Sequence, residues 1–332
     1  WLDTPESLFR FYPEIFERAN ISKVEIPFMK ASEDMDFRDW KKIAIVCERL
    51  LIEDSIKGVI ITHGTDFLHY TSAALSFFLR DLNKPVVLTY SQRSIDRASS
   101  DAKLNLQCSV IAALSDIAEV MLVGHATIND DYCYALPGTK VRKMHTSQRD
   151  AFKVVNSKPF AKIFPDKIEI ISDYRRRDDR KKVKTDTRFN DKVALVKVYP
   201  GQNSEILDFY LKKNYKGIVL EMSGLGHVPT QRSRNSWIKK LKEAQKKGMI
   251  ICATSQAIYG RVDPFVYSNA REILKTGVIY LEDMLSETAL VKLSWVLGQR
   301  KTPKPSTKEF LEYKNRVSKK MLENFEGEIS KK

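Results

Sequence analysis

The chain has no apolar run approaching the ~18 residues that a membrane-crossing helix needs. Its opening, Trp1-Leu2-Asp3-Thr4, lacks the basic start and apolar core of a signal peptide, so a cytoplasmic setting is expected. Trp1 is not an initiator residue, and the chain is expected to begin inside a longer product. Cysteine is scarce: Cys47, Cys108, Cys133 and Cys252 stand far apart with no CxxC pair. They read as buried thiols of a reducing compartment, and the spacing argues against a zinc site. There is no Walker sequence, and Gly224-Leu225-Gly226 lacks the third glycine of a dinucleotide fingerprint. A phosphate-cradling loop is therefore not expected. No repeat occurs at solenoid periods.

What is present is the composition of a globular protein. Of 332 residues, 43% are hydrophobic and 10% aromatic, enough for two domains with substantial cores. The net charge is +14, from 56 basic and 42 acidic residues. That balance suits either an anionic partner or a basic, solvated surface. The densest basic cluster is Arg175-Arg176-Arg177 with Arg180-Lys181-Lys182, and no aromatic residue follows until Phe189. It is not a stacking platform for single strands, and a linker is the favoured role.

Short apolar runs alternate with amphipathic patterns. Strands are expected at 58–61, 85–88, 120–123, 193–198, 218–220 and 249–252. Helices fall between them, one of them opened by Asp101 as a cap. The alternation predicts an α/β protein with parallel sheets and right-handed crossovers. The charged stretch Tyr174–Lys192 reads as an extended linker. The expected domains are 1–190, with a larger, flavodoxin-like parallel sheet, and 191–332, smaller and ending in a helix from about Lys308.

The apolar run Gly58–Ile61 ends in Thr62-His63-Gly64-Thr65-Asp66, and Pro85–Leu88 ends in Thr89, followed by Ser91–Ser94 and Ser99-Ser100-Asp101. Two successive strands thus release hydroxyls and carboxylates where open α/β sheets bind ligands. Thr65 and Asp66 also suit plain helix capping. Catalysis needs a third group, and Lys143 is a candidate proton relay, although nothing local places it beside Thr65. His63 and His145 fit structural hydrogen-bonding better than catalysis. The Gly224/Gly226 turn suits a tight bend or close backbone approach to a ligand.

The strand into Gly64-Thr65-Asp66 resembles the second signature of the L-asparaginase and glutaminase superfamily. Within it, the chain is most similar to the GatD group of archaeal glutamyl-tRNA(Gln) amidotransferases. The matching motifs include Gln92-Arg93-Ser94, Asp130-Asp131-Tyr132-Cys133, Val141–Ser147, Gly224–Val228, Thr254-Ser255-Gln256, Tyr259–Val262 and Glu282–Leu285. Also matching are Glu287–Leu293, Trp295–Gln299 and the tail Leu322–Ile329, so the resemblance covers nearly the whole chain. It implies an asparaginase-like two-domain fold and attack of a threonine hydroxyl on the amide of glutamine, releasing ammonia. It assigns Thr65, Asp66 and Lys143 to catalysis and Ser32, with neighbouring Glu33, to the substrate's α-substituents. It implies no cofactor or metal in the glutamine-hydrolysing subunit itself. ATP and Mg are used by a tRNA-binding partner subunit of GatE type, around a homodimeric core within a heterotetramer that meets tRNA indirectly.

Three departures stand out. The family's first threonine lies in a Thr-Gly-Gly-Thr-Ile strand that does not occur here and by order would precede Trp1. Phe67 follows Thr65-Asp66 where the family commonly has Thr. Tyr90 replaces a glycine beside the pocket, and it and Phe67 are both expected to crowd the site. Two alternatives follow: a free-standing L-asparaginase or glutaminase, and a non-catalytic scaffold without the nucleophile.

Overall fold

A computed structural model describes residues 4–330 and divides the chain into two compact units, Trp1–Thr187 and Arg188–Lys332. In the first, two short helices, α1 (Pro5–Phe11) and α2 (Ile15–Arg18), precede a single 3₁₀ turn at Ser32–Asp34 and α3 (Phe37–Leu51). Asp36 starts α3 with a reciprocal capping box to Asp39. Then come β1 (Val59–Thr62), α4 (Leu68–Phe78), β2 (Leu79–Arg80), β3 (Val86–Thr89) and α5 (Ala102–Leu114). The strands β4 (Val120–His125), β5 (Cys133–Pro137), β6 (Val141–Lys143), β7 (Phe152–Val154), β8 (Ala161–Ile163), β9 (Ile168–Ile170) and β10 (Lys184–Thr185) follow.

The main sheet runs β1-β3-β4-β5-β8-β9. Its first three strands are parallel, with Thr62 opposite Thr89 at their carboxyl ends. They are apolar because α5 and its neighbours bury them; Val87, Met121 and Val123 meet Cys108 and Ala112 of α5 in the core. The second half of the sheet is antiparallel, a correction to the purely parallel expectation. The β4–β5 and β8–β9 connections are too short for the dozen-residue crossover that parallel pairing requires, and the longer β5–β8 connection is taken up by the β6–β7 hairpin. A separate hairpin, β6–β7, pairs Lys143 with Phe152.

The stretch 174–192 is not a free linker. β10 pairs with β2, Val183 is buried, and Arg175 forms an ion pair with Glu119 at 2.8 Å. Arg177 donates to the carbonyls of Lys57 and Ser115, and Arg180 pairs with Asp178. The basic cluster is folded down onto the first unit and largely partnered within it.

The second unit carries a four-stranded parallel sheet in the order β11 (Val193–Lys197), β12 (Gly217–Met222), β13 (Ile250–Ser255), β14 (Ile279–Tyr280). Its helices are α6 (Ile206–Lys212), α7 (Ile238–Lys246), α8 (Ser268–Leu274), α9 (Ser286–Gly298) and α10 (Lys308–Leu322). Trp237, Leu220 and Ile251 sit in one apolar cluster under this sheet. Leu293 and Leu297 of α9 crowd Gly217, whose hydrogen leaves them room. Gly226, at φ +100°, forms a tight turn whose carbonyl accepts from the Tyr280 hydroxyl at 2.8 Å; a Cβ there would lie 2.6 Å from the tyrosine ring. The glycine pair therefore serves a turn. Lys292 and Glu328 form an ion pair at 2.5 Å with both side chains fully buried, tying the tail to α9.

Among the described residues, no helix is long and apolar enough to cross a membrane, and no cluster of His, Cys, Asp and Glu has metal-site geometry. All four cysteines are free and buried.

Candidate active site

Helix α4 begins at Leu68 with Phe67 as its cap residue and no side-chain capping bond. Thr65 and Asp66 therefore do not cap it. They turn instead toward the β6–β7 hairpin, where Lys143 Nζ donates to Thr65 Oγ1 at 2.8 Å and to Asp66 Oδ1 at 2.6 Å. The residues are 78 and 77 positions apart in sequence. The lysine side chain is 11% exposed and the aspartate 56%, so the pair sits at a rim that a solute can reach.

Ser32 supports the turn from below. Its buried hydroxyl oxygen accepts from the amides of Asp66 at 3.0 Å and Phe67 at 3.4 Å. A Cβ on Gly64 would stand 3.0 Å from that oxygen, which is why this position carries no side chain. Glu33, next in the 3₁₀ turn, is exposed. Sequence reasoning gave Ser32 a substrate-holding role. Its observed bonds hold the Thr65-Asp66 turn, leaving the hydroxyl proton as its remaining donor.

His63 Nδ1 lies 2.6 Å from the Gly64 carbonyl and Nε2 lies 2.9 Å from Thr71 Oγ1, which makes it a brace between β1 and α4. Burial lowers its pKa, so it stays neutral. His145 Nδ1 accepts from the amides of Ser147 and Gln148 and shapes the hairpin turn. The polar group after β3 is likewise self-satisfied. Asp101 does not cap α5; its carboxylate accepts from Ser91 Oγ and from the amides of Gln92 and Arg93. These residues are a loop lock.

One residue beside the site escaped sequence reasoning. His69, on α4, is buried with an unpartnered Nδ1; burial first, then the charges of Arg142 and Lys143, push its pKa down to about 4. Only the proximity of α4 to the hairpin reveals it, and no local pattern signals it. Tyr90 has a role other than the one expected. Its ring is 4% exposed, packs against Phe152 at 4.7 Å and fills the space over Gly124, while its hydroxyl donates to the Arg149 carbonyl at 2.9 Å. Tyr90 therefore buttresses the hairpin that presents Lys143. Phe67 is exposed, with its edge toward Tyr70.

The cluster therefore combines a hydroxyl, an ammonium within hydrogen-bond reach of it, and a carboxylate beside that ammonium, at the carboxyl end of β1 in the parallel half of the sheet. Such a set can move a proton to and from a threonine hydroxyl in acyl transfer.

The fold and this cluster define an asparaginase-type α/β protein. The family model described as "Asparaginase, N-terminal" matches residues 2–176, and "Glutaminase/Asparaginase C-terminal domain" matches residues 192–310. The chain belongs to the GatD family of glutamyl-tRNA(Gln) amidotransferases within this superfamily. It is 52% identical over 330 residues to the glutamyl-tRNA(Gln) amidotransferase GatD of Pyrococcus horikoshii, covering 98% of this chain and 71% of that protein. It is 43% identical to the protein of the same name from Methanothermobacter thermautotrophicus, covering 99% of this chain and 71% of that one. Among solved structures, the thermostable L-asparaginase from Thermococcus kodakarensis superposes with TM-score 0.83 at 29% identity, covering 99% and 92% of the two chains. L-asparaginase I from Vibrio cholerae gives TM-score 0.76 at 28% identity, covering 93% and 86%.

Proposed function

We propose that the chain is the glutamine-hydrolysing subunit of the tRNA-dependent amidotransferase that converts Glu-tRNA(Gln) to Gln-tRNA(Gln). The observation that carries this is the Lys143 ammonium held between Thr65 and Asp66. A threonine hydroxyl adds to the side-chain carbonyl carbon of glutamine, and its proton passes to the Asp66 carboxylate by way of Lys143, which gives an ammonium proton to Asp66 as it takes one from the threonine. The C–N bond then breaks, the proton goes to the leaving nitrogen, and ammonia departs from a threonyl ester. Water hydrolyses that ester to glutamate and restores the hydroxyl. Thr65 is the relay hydroxyl that these residues hold in place. The resemblance assigns a second threonine to a Thr-Gly-Gly-Thr-Ile strand. Ser32 and Glu33 flank the turn where the substrate's α-amino and α-carboxylate groups are to be held.

The subunit needs no cofactor of its own. The ammonia passes to a tRNA-binding partner of GatE type, which uses ATP and Mg to activate the glutamate of Glu-tRNA(Gln). The working assembly is cytoplasmic, a homodimeric core within a heterotetramer. Support for this reading comes from the names of the relatives and the match along 98% of the chain.

A free-standing asparaginase is the second reading, favoured by the likeness to solved L-asparaginases. The deciding experiment measures ammonia release from glutamine and from asparagine, with and without the partner and Glu-tRNA(Gln). Release from glutamine that rises with both supports the subunit reading. Release from asparagine that is indifferent to both overturns it.

A further inference from the structure

The positive charge is concentrated in one unit. Trp1–Thr187 has 29 Lys and Arg against 27 Asp and Glu, a net of +2, whereas Arg188–Lys332 has 27 against 15, a net of +12. Within the second unit the charge converges on one cavity of about 240 Å³ beside α9 and α10, lined by Arg188, Gln299, Arg300, Tyr313, Arg316 and Lys320 over an apolar floor. No carboxylate lines it. Arg300, Arg316 and Lys320 have no carboxylate partner among the described residues. Arg316 lies over the Tyr313 ring at 5.5 Å, and Lys320 lies over the Trp295 and Phe325 rings at 5.9 and 5.6 Å. Arg316 and Lys320 are one helical turn apart on α10, so both point to the same side. Exposed Lys301, Lys304, Lys308 and Lys319 extend the basic surface around them.

Like charges gathered without counter-ions repel one another. In the first unit, Arg175, Arg176 and Arg177 escape this cost through Glu119, Asp116 and nearby carbonyls. In the second unit Arg316 and Lys320 lie over aromatic faces, which leaves their outer N–H groups for an external anion. Guanidinium groups bind phosphate as a planar fork, and several cations around a small cavity fit one phosphate with neighbours on either side.

We propose that this cavity and its basic flanks bind the phosphodiester backbone of RNA. The phosphate chemistry rests on the geometry alone; the choice of RNA among polyanions rests on the tRNA-dependent reading above. The Tyr313, Trp295 and Phe325 rings keep Arg316 and Lys320 oriented, and the contact carries no base readout.

The test uses the full chain and fluorescently labelled unfractionated tRNA, with affinity measured between roughly 50 and 200 mM salt. In the triple variant Arg300→Gln, Arg316→Gln, Lys320→Gln, the slope of log affinity against log salt should become shallower by about 2–3, close to one for each phosphate no longer neutralised. The variant Arg175→Gln, Arg176→Gln, Arg177→Gln should leave the slope unchanged. If the cavity triple does not fold by circular dichroism, Arg300→Gln alone, in an exposed bend, must flatten the slope by about 1. An unchanged slope in the cavity variants overturns the proposal. So does displacement of the tRNA by poly-glutamate at equal charge concentration, which would identify an acidic protein as the partner. Glutamine hydrolysis is read separately with the partner and Glu-tRNA(Gln) added. A chain that binds tRNA through the cavity but does not hydrolyse glutamine under those conditions overturns the glutaminase reading and leaves this one standing.

Discussion

The two units share one architecture, parallel strands with helices packed against them, and put it to opposite use. The first folds the cations of its densest basic cluster onto Glu119, Asp116 and Asp178, and aims Lys143 at a hydroxyl and a carboxylate at a reachable rim. The second buries one lysine completely against Glu328 as an internal clasp and leaves other cations without carboxylate partners at its surface. A lysine–carboxylate pair thus has different consequences depending on where it lies. At a rim it is available for proton transfer and contributes little to stability; in the interior it is inert chemically and costly to break.

The largest expected effect tests the rim pair. Lys143→Met should lower glutamine-dependent ammonia release by roughly 10²–10⁴, the usual worth of a positioned acid–base group. Because Asp66 is more than half exposed, the same change should cost no more than about 1 kcal/mol of stability in a urea titration. That is well below the cost expected had the pair been fully desolvated. Equal activity in wild type and variant would remove Lys143 from the chemistry.

The interior pair should behave in the reverse manner. Lys292→Met leaves a fully buried carboxylate without its partner and should cost about 3–5 kcal/mol. Two unfolding transitions would resolve the effect to the second unit. Adding Glu328→Leu should recover most of the loss, since no unpaired charge then remains; a double variant as unstable as the single would refute the clasp.

A third measurement contrasts titration in the first unit. His69 has a folded pKa of about 4 against an ordinary value near 6.5, so the unfolded chain binds a proton over that interval and the folded chain does not. Stability contributed by neutral His69 is complete above pH ~6.5 and is lost as the pH falls toward ~4, by up to about 3 kcal/mol. Unfolding free energies across that window should show a shallower slope in His69→Leu than in wild type.

The smallest effect concerns the buttress. Tyr90→Phe removes the bond to the Arg149 carbonyl and should destabilise the first unit by about 1 kcal/mol, measured by thermal unfolding, with the ring packing kept. A loss of several kcal/mol would show that the hydroxyl holds much more than one bond.

Much of this was legible in the residues because it is local. Runs such as Val59–Thr62 and Val86–Thr89 declare buried strands by their apolar content, and their polar endings mark the ligand-facing edge of the sheet. The motifs around Gly64-Thr65-Asp66 and Val141–Ser147 pointed to the superfamily. The antiparallel half of the first sheet was not legible, since strands of three residues such as Ala161–Ile163 carry too few positions to show a period. Asp101 read as a cap because Asp caps helices in general, yet loop amides reach its carboxylate first.

By itself, then, the sequence determined the main parallel strands of both units, the two-part α/β class, and the residue types at the candidate site, all of which depend on spacing within a few residues. Tertiary structure decided which of them meet. Lys143 reaches Thr65 only because Tyr90 and Phe152 hold a hairpin 78 residues away against the sheet edge. The Arg175–Arg177 cluster lost its availability only because folding brought Glu119 and Asp116 beside it. Charges interact through distance in space, and that distance is not contained in their order along the chain.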